Sequence, residues 1–540
     1  MSNNSKQFDA DVLIVGSGVL GSLTATKLAN AGKSVIILEA GPLIDRAEVF
    51  ARYQKNFDLN DYDAPFPQLP YAQMWSTPGY IKQIGPKPFL APYLRGVGGT
   101  TWHWASACWR LLPNDFQMKT LYGIGRDWPI FYDDLEPWYV DAEREIGVNG
   151  SDAEDQSGRN SGAFPPRSAP YPMTAQPFSS MNEKAKDILD SAGYPTIHEP
   201  NARASRDYDG RPACVGSNNC MPICPVGAQY SGERHADKAV AAGVKLITSA
   251  IVYKIELAGD KTVAALHYKT PTGESHRLTA RRYVLAGHAI ETPRLLLMSA
   301  TDGAPNGVAN SSGMVGRNLM NHPPTSITMV AKDELWPGRG PVQQNAVIPR
   351  RDGEFRSDRA ASRHQVRNEA PNYAVTKGLL DEGVIGPSLD KQIAYRSARW
   401  LTIATVYEQL PDLNNRITLS AERRDALGLP SPDIFYDIDG YTQKAADEVF
   451  DRDYKDFARL FGGEMVSVSK EWGVQAHIMG TMIMGANAED SVVDGFCRTH
   501  DHDNLFIAST GVMATASVVN PTLTGAALAL RMAETIGKEV

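Results

Sequence analysis

The sequence predicts an α/β fold in which a parallel sheet is assembled from both ends of the chain. Residues 10–41 have the pattern of a βαβ unit, because two short apolar runs flank a glycine-rich turn and leucines at helical spacing. Near the other end, residues 504–510 read as a buried strand and 521–536 as a helix. Between about 325 and 472 the pattern changes to longer strand-like runs, which indicates a second domain inserted into the first.

Residues 8–324 and 473–540 are therefore predicted to form a discontinuous Rossmann-like domain, and 325–472 an inserted α+β substrate domain with an antiparallel sheet. The first domain is also predicted to contain helices at 129–146 and 182–192 and a three-stranded meander at 244–254, 263–268 and 276–284. The turn TPTGES lies within this meander, where proline and glycine favour a reversal of the chain.

Composition and charge exclude several classes of protein. Apolar residues make up 42% of the 540 and charged residues 21%, which suits a large folded core and excludes disorder and coiled coil. The net charge of −8 has the wrong sign for a surface that follows nucleic-acid phosphates, so no nucleic-acid partner is expected. No run approaches the roughly 18 apolar residues of a membrane span, and the N-terminal sequence MSNNSKQFDA predicts no export signal.

The turn GSGVLG joins the first strand to the first helix and predicts a dinucleotide site. Gly16 permits the tight turn, Gly18 lets the backbone approach a pyrophosphate at the helix N-terminus, and Gly21 allows close packing of the helix on the strand. Glu39 ends the second strand, where its carboxylate can accept hydrogen bonds from ribose hydroxyls. The motif by itself does not separate FAD from NAD.

The segment RGVGGTTWHWA, residues 95–105, predicts a second contact with the cofactor. A backbone rich in glycine with neighbouring hydroxyls can lie against a flat polar ring system, and the two tryptophans can wall it. The predicted contacts are Gly98, Gly99, Thr100 and His103. The alternative is a turn followed by an aromatic core segment.

Three cysteines, Cys214, Cys220 and Cys224, lie close together at C-x5-C-x3-C spacing in the loop 211–228. Thiolates this close in a loop are typical of a metal or iron–sulfur site. Three ligands suit a [3Fe–4S] cluster, because a cubane lacking one iron needs one thiolate fewer. A zinc site with His235 as the fourth ligand is one alternative, and a purely structural role is another.

His477 in HIMG and Asn520 in VNPTLT are candidates for acid–base chemistry. A histidine with an unperturbed pKa of about 6.5 can take a hydroxyl proton while a hydride leaves the carbon, and an amide can orient the same oxygen. Residue chemistry alone leaves other histidines as equal candidates, namely His103, His288, His322, His500 and His502.

Taken together, these motifs resemble the glucose–methanol–choline (GMC) oxidoreductases. The matching segments, spread over residues 11–530, are GSGVLG with Glu39, GGTTWHW, GHAIETPRLLLMSA, MVGRNLMNHP, HIMG and VNPTLT. The resemblance implies FAD rather than NAD, and it implies that His477 and Asn520 are the proton-accepting pair. It also implies a [3Fe–4S] cluster on the three cysteines and places Thr510 and Gly511 among the cofactor contacts.

Within the family, GGTTWHWAS, RDYDGRP and CMPICPVGA are similar to the catalytic subunits of bacterial membrane-associated FAD-dependent sugar dehydrogenases of the glucose, fructose and sorbitol type. This resemblance implies oxidation of a sugar, polyol or sugar acid, with electrons leaving through the cluster to a multi-haem c-type cytochrome subunit. It also implies a small companion subunit with a twin-arginine signal, and a location at the periplasmic face of the bacterial inner membrane through these partners.

Three alternatives compete with this hypothesis. An oxygen-using alcohol or sugar oxidase needs no functional cluster. A flavin electron-transfer subunit needs no substrate site, which the histidine–asparagine pair argues against. An NAD-dependent dehydrogenase is disfavoured, because its nucleotide unit is normally contiguous rather than closed by a C-terminal segment.

Overall fold

The protein is described here from a computed structural model, which covers residues 8–56, 63–157, 165–259, 261–469, 471–473 and 477–540. At its centre lies a parallel sheet whose five strands run in the order Leu505–Ile507, Ala280–Leu285, Ala10–Val15, Val35–Leu38 and Lys245–Ile247. Its inner strands are apolar, largely β-branched and mostly buried, as expected of a sheet covered on both faces. The prediction that both ends of the chain meet in one sheet is confirmed.

Helices cover this sheet and bring distant parts of the chain together. Val19–Asn30 packs against both Thr522–Glu539 and Glu233–Ala241, and Tyr132–Ile146 packs on Thr522–Glu539. Gly525 allows the first of these crossings to be close, because a Cβ there would lie 3.1 Å from a leucine methyl group of the partner helix. The C-terminal helix thus packs directly on the helix of the N-terminal βαβ unit.

The predicted meander exists, but its outer strands are divided. The three antiparallel strands are Ile251–Leu257, Val263–Lys269 and Ser275–Leu278. The neighbouring strands Lys245–Ile247 and Ala280–Leu285 leave the meander and join the parallel sheet instead. Ser249 marks the first break, because its φ of +54° interrupts the extended chain.

A second, antiparallel sheet faces the first across a cavity. Its six strands run in the order Glu464–Ser469, Pro324–Val330, Trp400–Tyr407, Ser362–Arg367, Asn345–Val347 and Thr196–His198. This sheet confirms the predicted α/β class with an antiparallel second layer.

The domain boundaries stay a prediction, and one segment departs from them. Helix Ser180–Ser191 and strand Thr196–His198 lie within the range assigned to the first domain. Their apolar residues nevertheless share a core with the antiparallel sheet, in which Leu189 and Ile327 are both fully buried. The core of the antiparallel sheet therefore includes a segment from earlier in the chain.

The remaining elements lie around these two sheets. The helices are Arg46–Tyr53, Met118–Tyr122, His288–Met298, Asn372–Asp381, Pro387–Arg399, Gly440–Glu448 and Tyr454–Leu460, with a π-helical turn at Val449–Asp453 and 3₁₀ turns at Gly99–Trp102, Pro113–Phe116, Glu354–Ser357 and Thr510–Val512. Short strands pair as Arg416–Arg424, Pro430–Phe435 and Lys82–Gln83, and as Asn149–Gly150 and Met173–Thr174. Within the described ranges, no helix combines the length and the hydropathy that a membrane span requires.

Candidate active site

A cavity of about 1070 Å³ separates the parallel sheet from the antiparallel one. Val15, Leu38 and Leu285 line it at the carboxyl ends of their strands, which is where open α/β sheets bind ligands. The strand Ser362–Arg367 lines the opposite wall with alternate side chains. The volume exceeds the few hundred to about 1,000 Å³ that a drug-sized ligand needs, so it can hold a dinucleotide.

Two glycines of the turn GSGVLG are needed for close packing, and the third leaves room for a ligand. A Cβ on Gly16 would lie 2.6 Å from the carbonyl oxygen of Ala286, and one on Gly21 would lie 2.1 Å from the carbonyl oxygen of Gly16. These two glycines are therefore required by backbone contacts. A Cβ on Gly18 would meet no atom within 4 Å, so Gly18 leaves open space at the N-terminus of the first helix.

Glu39 is held in place at the end of the second strand. Its Oε2 accepts hydrogen bonds from the backbone N–H and the hydroxyl of Ser17 at 2.8 and 2.7 Å, and its Oε1 accepts one from the N–H of Gly41 at 2.9 Å. The carboxylate lines the cavity. Its predicted contact with a ribose hydroxyl stays a prediction.

The second glycine segment lies against the first. Gly98 and Gly99 adopt φ of +96° and +59°, which opens a tight turn into the 3₁₀ helix Gly99–Trp102. A Cβ on Gly99 would lie 3.0 Å from the Cα of Gly18. His103 follows this turn, where burial lowers the pKa of its imidazole. The two segments form one continuous wall of the cavity.

Most of the predicted cofactor contacts line the cavity, and three do not. Those that line it are Gly16, Gly18, Glu39, Gly99, Thr100, His103 and Thr510. Gly21, Gly98 and Gly511 lie behind the wall, where a Cβ on Gly98 would lie 2.7 Å from Trp102 Nε1 and one on Gly511 would lie 2.2 Å from Met482 Cε. These three glycines allow close packing and do not contact the cavity.

His477 and Asn520 meet at the same cavity, although 43 residues separate them. The Nδ2 atom of Asn520 lies 2.9 Å from Nε2 of His477. Burial holds the pKa of His477 well below its ordinary value, and the neighbouring His322 and the charges of Arg363 and Arg367 lower it further. The sequence led us to expect a pKa near the unperturbed one, so the structure corrects that expectation and makes His477 neutral at physiological pH.

Sequence reasoning offered His322 as one of several candidate histidines, but it gave Arg363 no role behind this pair. Arg363 donates hydrogen bonds to Asn520 Oδ1 at 3.1 Å and to Glu199 Oε1 at 2.6 Å, and it is 3% exposed. His322 lies against His477 on the other side. The motif MVGRNLMNHP contains His322, and the strand Ser362–Arg367 presents Arg363 at alternating positions, but neither pattern identifies a partner so distant in sequence.

The cysteine loop touches the cavity without forming a ligand set. Cys220 is buried, while Cys214 and Cys224 are half-buried. Among the described residues, no three side chains of His, Cys, Asp or Glu are arranged to hold a metal ion. The thiols of the three cysteines are therefore not gathered around a single metal-ion position. The loop does reach the cavity, since Met221 lines it.

His235 is not available as the fourth ligand of the alternative zinc site. Both ring nitrogens of His235 are already hydrogen-bonded, Nδ1 to the hydroxyl of Tyr230 at 2.8 Å and Nε2 to Glu145 Oε2 at 2.9 Å. The ring is buried within the helix Glu233–Ala241 and its neighbours. His235 is a satisfied structural histidine.

A dinucleotide-type sheet that shares one cavity with a neutral imidazole and an amide is the arrangement of an oxidoreductase. The chain belongs to the GMC oxidoreductase family, because residues 10–324 and 411–529 match the two profiles described as GMC oxidoreductase. It is an FAD-dependent enzyme of this family that acts on CH–OH groups.

Relatives and solved structures agree with this assignment. The chain is 41% identical to the fructose dehydrogenase large subunit of Gluconobacter japonicus, covering 99% of both chains. It is 28% identical to 2-methyl-1,2-propanediol dehydrogenase of Mycolicibacterium austroafricanum, covering 98% of this chain and 95% of the relative. The crystal structure of pyridoxine 4-oxidase from Mesorbium loti has a TM-score of 0.65 at 17% identity over 98% of this chain and 99% of the other, which shows the fold alone.

Proposed function

We propose that this chain oxidises a CH–OH group of a sugar, polyol or sugar acid, and that His477 takes the hydroxyl proton. The observation that carries the proposal is the 2.9 Å contact between His477 Nε2 and Asn520 Nδ2 in the cavity that also contains Gly18 and Glu39. A substrate oxygen that takes the place of this direct contact can accept a hydrogen bond from the amide while it gives its proton to the imidazole. The sugar class is supported by the relative that is named a fructose dehydrogenase large subunit.

The cavity suits FAD at several points along one wall. The open space at Gly18 and the helix N-terminus beside it suit a pyrophosphate, and Glu39 suits a ribose hydroxyl. Thr100 and Thr510 also line this wall. Bound FAD would supply the hydride acceptor, while the residues of the chain position the substrate and take its proton.

The charges around His477 favour loss of the substrate proton. Its lowered pKa keeps Nε2 unprotonated at neutral pH, as a general base requires. The buried guanidinium of Arg363 stands directly behind Asn520 and stabilises negative charge that develops on the substrate oxygen. The same charge disfavours a lasting imidazolium on His477.

A substrate panel tests the proposed activity. Aldoses, ketoses, polyols and keto-acids are offered to the isolated FAD-loaded chain with an artificial electron acceptor. We expect turnover with at least one carbohydrate, and we expect His477→Ala with the same FAD content to lack it. Turnover with simple aliphatic alcohols but with no carbohydrate would contradict the sugar class.

We further propose that Cys214, Cys220 and Cys224 hold a [3Fe–4S] cluster. The proposal rests on the spacing of the three thiols and on the family resemblance. Because the described side chains are not arranged as a ligand set, no step of the reaction is assigned to the cluster. The loop adjoins the cavity, since Met221, next to Cys220 in the chain, lines it.

We also propose that a multi-haem c-type cytochrome subunit accepts the electrons, that a small companion subunit carries a twin-arginine signal, and that the complex works at the periplasmic face of the inner membrane. The support is a relative named as a large subunit, a name that presupposes smaller ones. Expression of the chain with and without the companion tests this. We expect export of the pair only, and export of the isolated chain would contradict the proposal.

A further inference from the structure

His322 is a buried histidine for which the proposed reaction has no role so far. Its ring lies beside that of His477, with the two Nδ1 atoms 2.8 Å apart. The two segments are held together by paired backbone hydrogen bonds between Met320 and Met479, at 3.0 and 3.1 Å. The backbone pairing therefore holds the segments that carry the two imidazoles side by side.

The far side of the His322 ring decides where its proton lies. Nε2 of His322 is 3.0 Å from the carbonyl oxygens of both Ala516 and Ser517. Carbonyl oxygens only accept hydrogen bonds, so Nε2 must carry the proton. Burial lowers the pKa of His322 to about 4, so the ring holds one proton at neutral pH. Nδ1 of His322 is then a bare acceptor, and the hydrogen between the two Nδ1 atoms belongs to His477.

The hydrogen bonds on the other side of His477, through Asn520 to Arg363, lead independently to the same tautomer of His477. A guanidinium only donates hydrogen bonds, and Arg363 Nη2 lies 3.1 Å from Asn520 Oδ1. The amide oxygen of Asn520 therefore faces Arg363, and its Nδ2 faces His477. An amide N–H donates, so Nε2 of His477 accepts and is unprotonated.

We propose that His322 is a positioning residue that holds His477 in the tautomer protonated at Nδ1, so that Nε2 keeps the lone pair with which it now accepts from Asn520 and with which it would accept the substrate proton. This inference rests on the proposed role of His477 as the base. Imidazole tautomers interconvert freely unless a neighbour fixes one of them. When the substrate O–H bond breaks and the proton moves to Nε2, the Nδ1–H bond to His322 remains and stabilises the imidazolium.

Two substitutions separate this role from mere packing. His322→Leu removes the acceptor, whereas His322→Asn places a side-chain oxygen near the position of Nδ1 and keeps an acceptor for His477. We expect the anaerobic rate of FAD reduction by substrate to fall about 10- to 100-fold in His322→Leu, the range typical of groups that orient a functional histidine. We expect His322→Asn to recover most of the rate, with substrate Kd and FAD content close to wild type in both.

A spectroscopic readout tests the tautomer without turnover. In protein labelled with ¹⁵N-histidine, the ring signals lost in His477→Ala identify that residue. We expect its Nδ1 to be protonated and its Nε2 bare in the wild type, and a mixture of tautomers in His322→Leu. A protonated Nε2 in the wild type, or equal rates in the Leu and Asn variants, would overturn the inference.

The outcomes also separate this inference from the proposed function. If His322→Leu does not fold, the wild-type spectrum still decides the tautomer. If His477→Ala turns over substrate like the wild type, the role of His477 as base is wrong, whatever the spectrum shows. If His477→Ala is inactive and both His322 variants are fully active, only the inference about His322 fails.

Discussion

Arg363 donates a 2.6 Å hydrogen bond to Glu199 across the wall of the cavity, and both side chains are almost fully buried. The same guanidinium reaches Asn520 with its second nitrogen at 3.1 Å. The ion pair therefore fixes the guanidinium of Arg363, which orients the side-chain amide of Asn520. That amide in turn contacts His477. Glu199 also accepts a hydrogen bond from Trp109 Nε1 at 3.2 Å, which anchors the carboxylate from a second direction.

We predict that Arg363→Lys lowers kcat while FAD content stays near that of the wild type. A lysine has one compact ammonium in place of a planar fork, so it cannot hold Glu199 and Asn520 together. Arg351→Lys is a matched control, since Arg351 stacks on Trp109 at 5.0 Å, close to the 5.2 Å of Arg363, but donates to main-chain carbonyls instead. Equal losses of kcat in the two variants would show that only packing was disturbed.

The open space at Gly18 leads to a second prediction, on cofactor content. Gly18→Trp fills the place where the backbone would approach the pyrophosphate, so the purified variant should lack flavin absorbance while its circular dichroism is retained. Gly440→Trp is the control, because Gly440 also begins a helix, has open space around its Cβ position and lies away from the cavity. Full flavin content in Gly18→Trp would show that the dinucleotide lies elsewhere.

The buried histidines predict a loss of stability in acid. Burial lowers the pKa of both His288 and His322 to about 4, below the unfolded value of about 6.5. Between these values the unfolded chain binds protons that the folded chain does not, so the free energy of unfolding falls as the pH drops from about 6.5 towards 4. Each such group contributes at most about 1.4 kcal/mol per pH unit.

Denaturant unfolding at several pH values checks this prediction. His322→Asn removes one titrating group, so its free energy of unfolding should decline less steeply between pH 6.5 and 4 than that of the wild type. His500→Asn is a useful comparison, because His500 is a half-buried histidine outside the cavity. An unchanged slope in His322→Asn would mean that His322 is not held neutral by the fold.

The cysteine loop predicts iron in the purified protein. Iron analysis should give about three atoms per chain, the content of a [3Fe–4S] cluster. Cys220→Ser should lose the iron, whereas Cys108→Ser should keep it, because Cys108 is a buried cysteine outside the loop 211–228 in sequence. Transfer of electrons to a cytochrome should fail in Cys220→Ser while reduction of a small dye continues. Zinc in place of iron, or unchanged cytochrome reduction, would favour the oxygen-using oxidase.

The parts of the fold that the sequence predicts are those with a local signal. The strands Ala10–Val15, Val35–Leu38 and Leu505–Ile507 are short apolar runs next to glycine turns or polar loops, and their pattern needs no knowledge of distant residues. The division of the meander at Ser249 has no such signal, since its left-handed conformation occurs at a residue other than glycine. The pairing of Thr196–His198 with Asn345–Val347 depends on contacts across some 150 residues.

The same distinction holds for the site. Gly18 and Glu39 belong to one contiguous motif, so their position at the cavity follows from local chain geometry. The hydrogen bond between His322 and His477 spans 155 residues, and that between Arg363 and Asn520 spans 157. The sequence identifies MVGRNLMNHP as a segment that resembles the family, but it contains no signal that pairs this segment with HIMG.

The central claim is that His477 takes the substrate proton while FAD stays bound, and stopped-flow reduction of the flavin in His477→Ala tests it most directly. Measured without oxygen and with saturating substrate, the rate of reduction should fall about 10²- to 10⁴-fold, the usual contribution of a positioned general base. Asn520→Ala should lose less, because the amide orients the oxygen and takes no proton. His500→Ala should reduce its flavin at the wild-type rate. A His477→Ala variant with full FAD content and a wild-type rate would contradict the account.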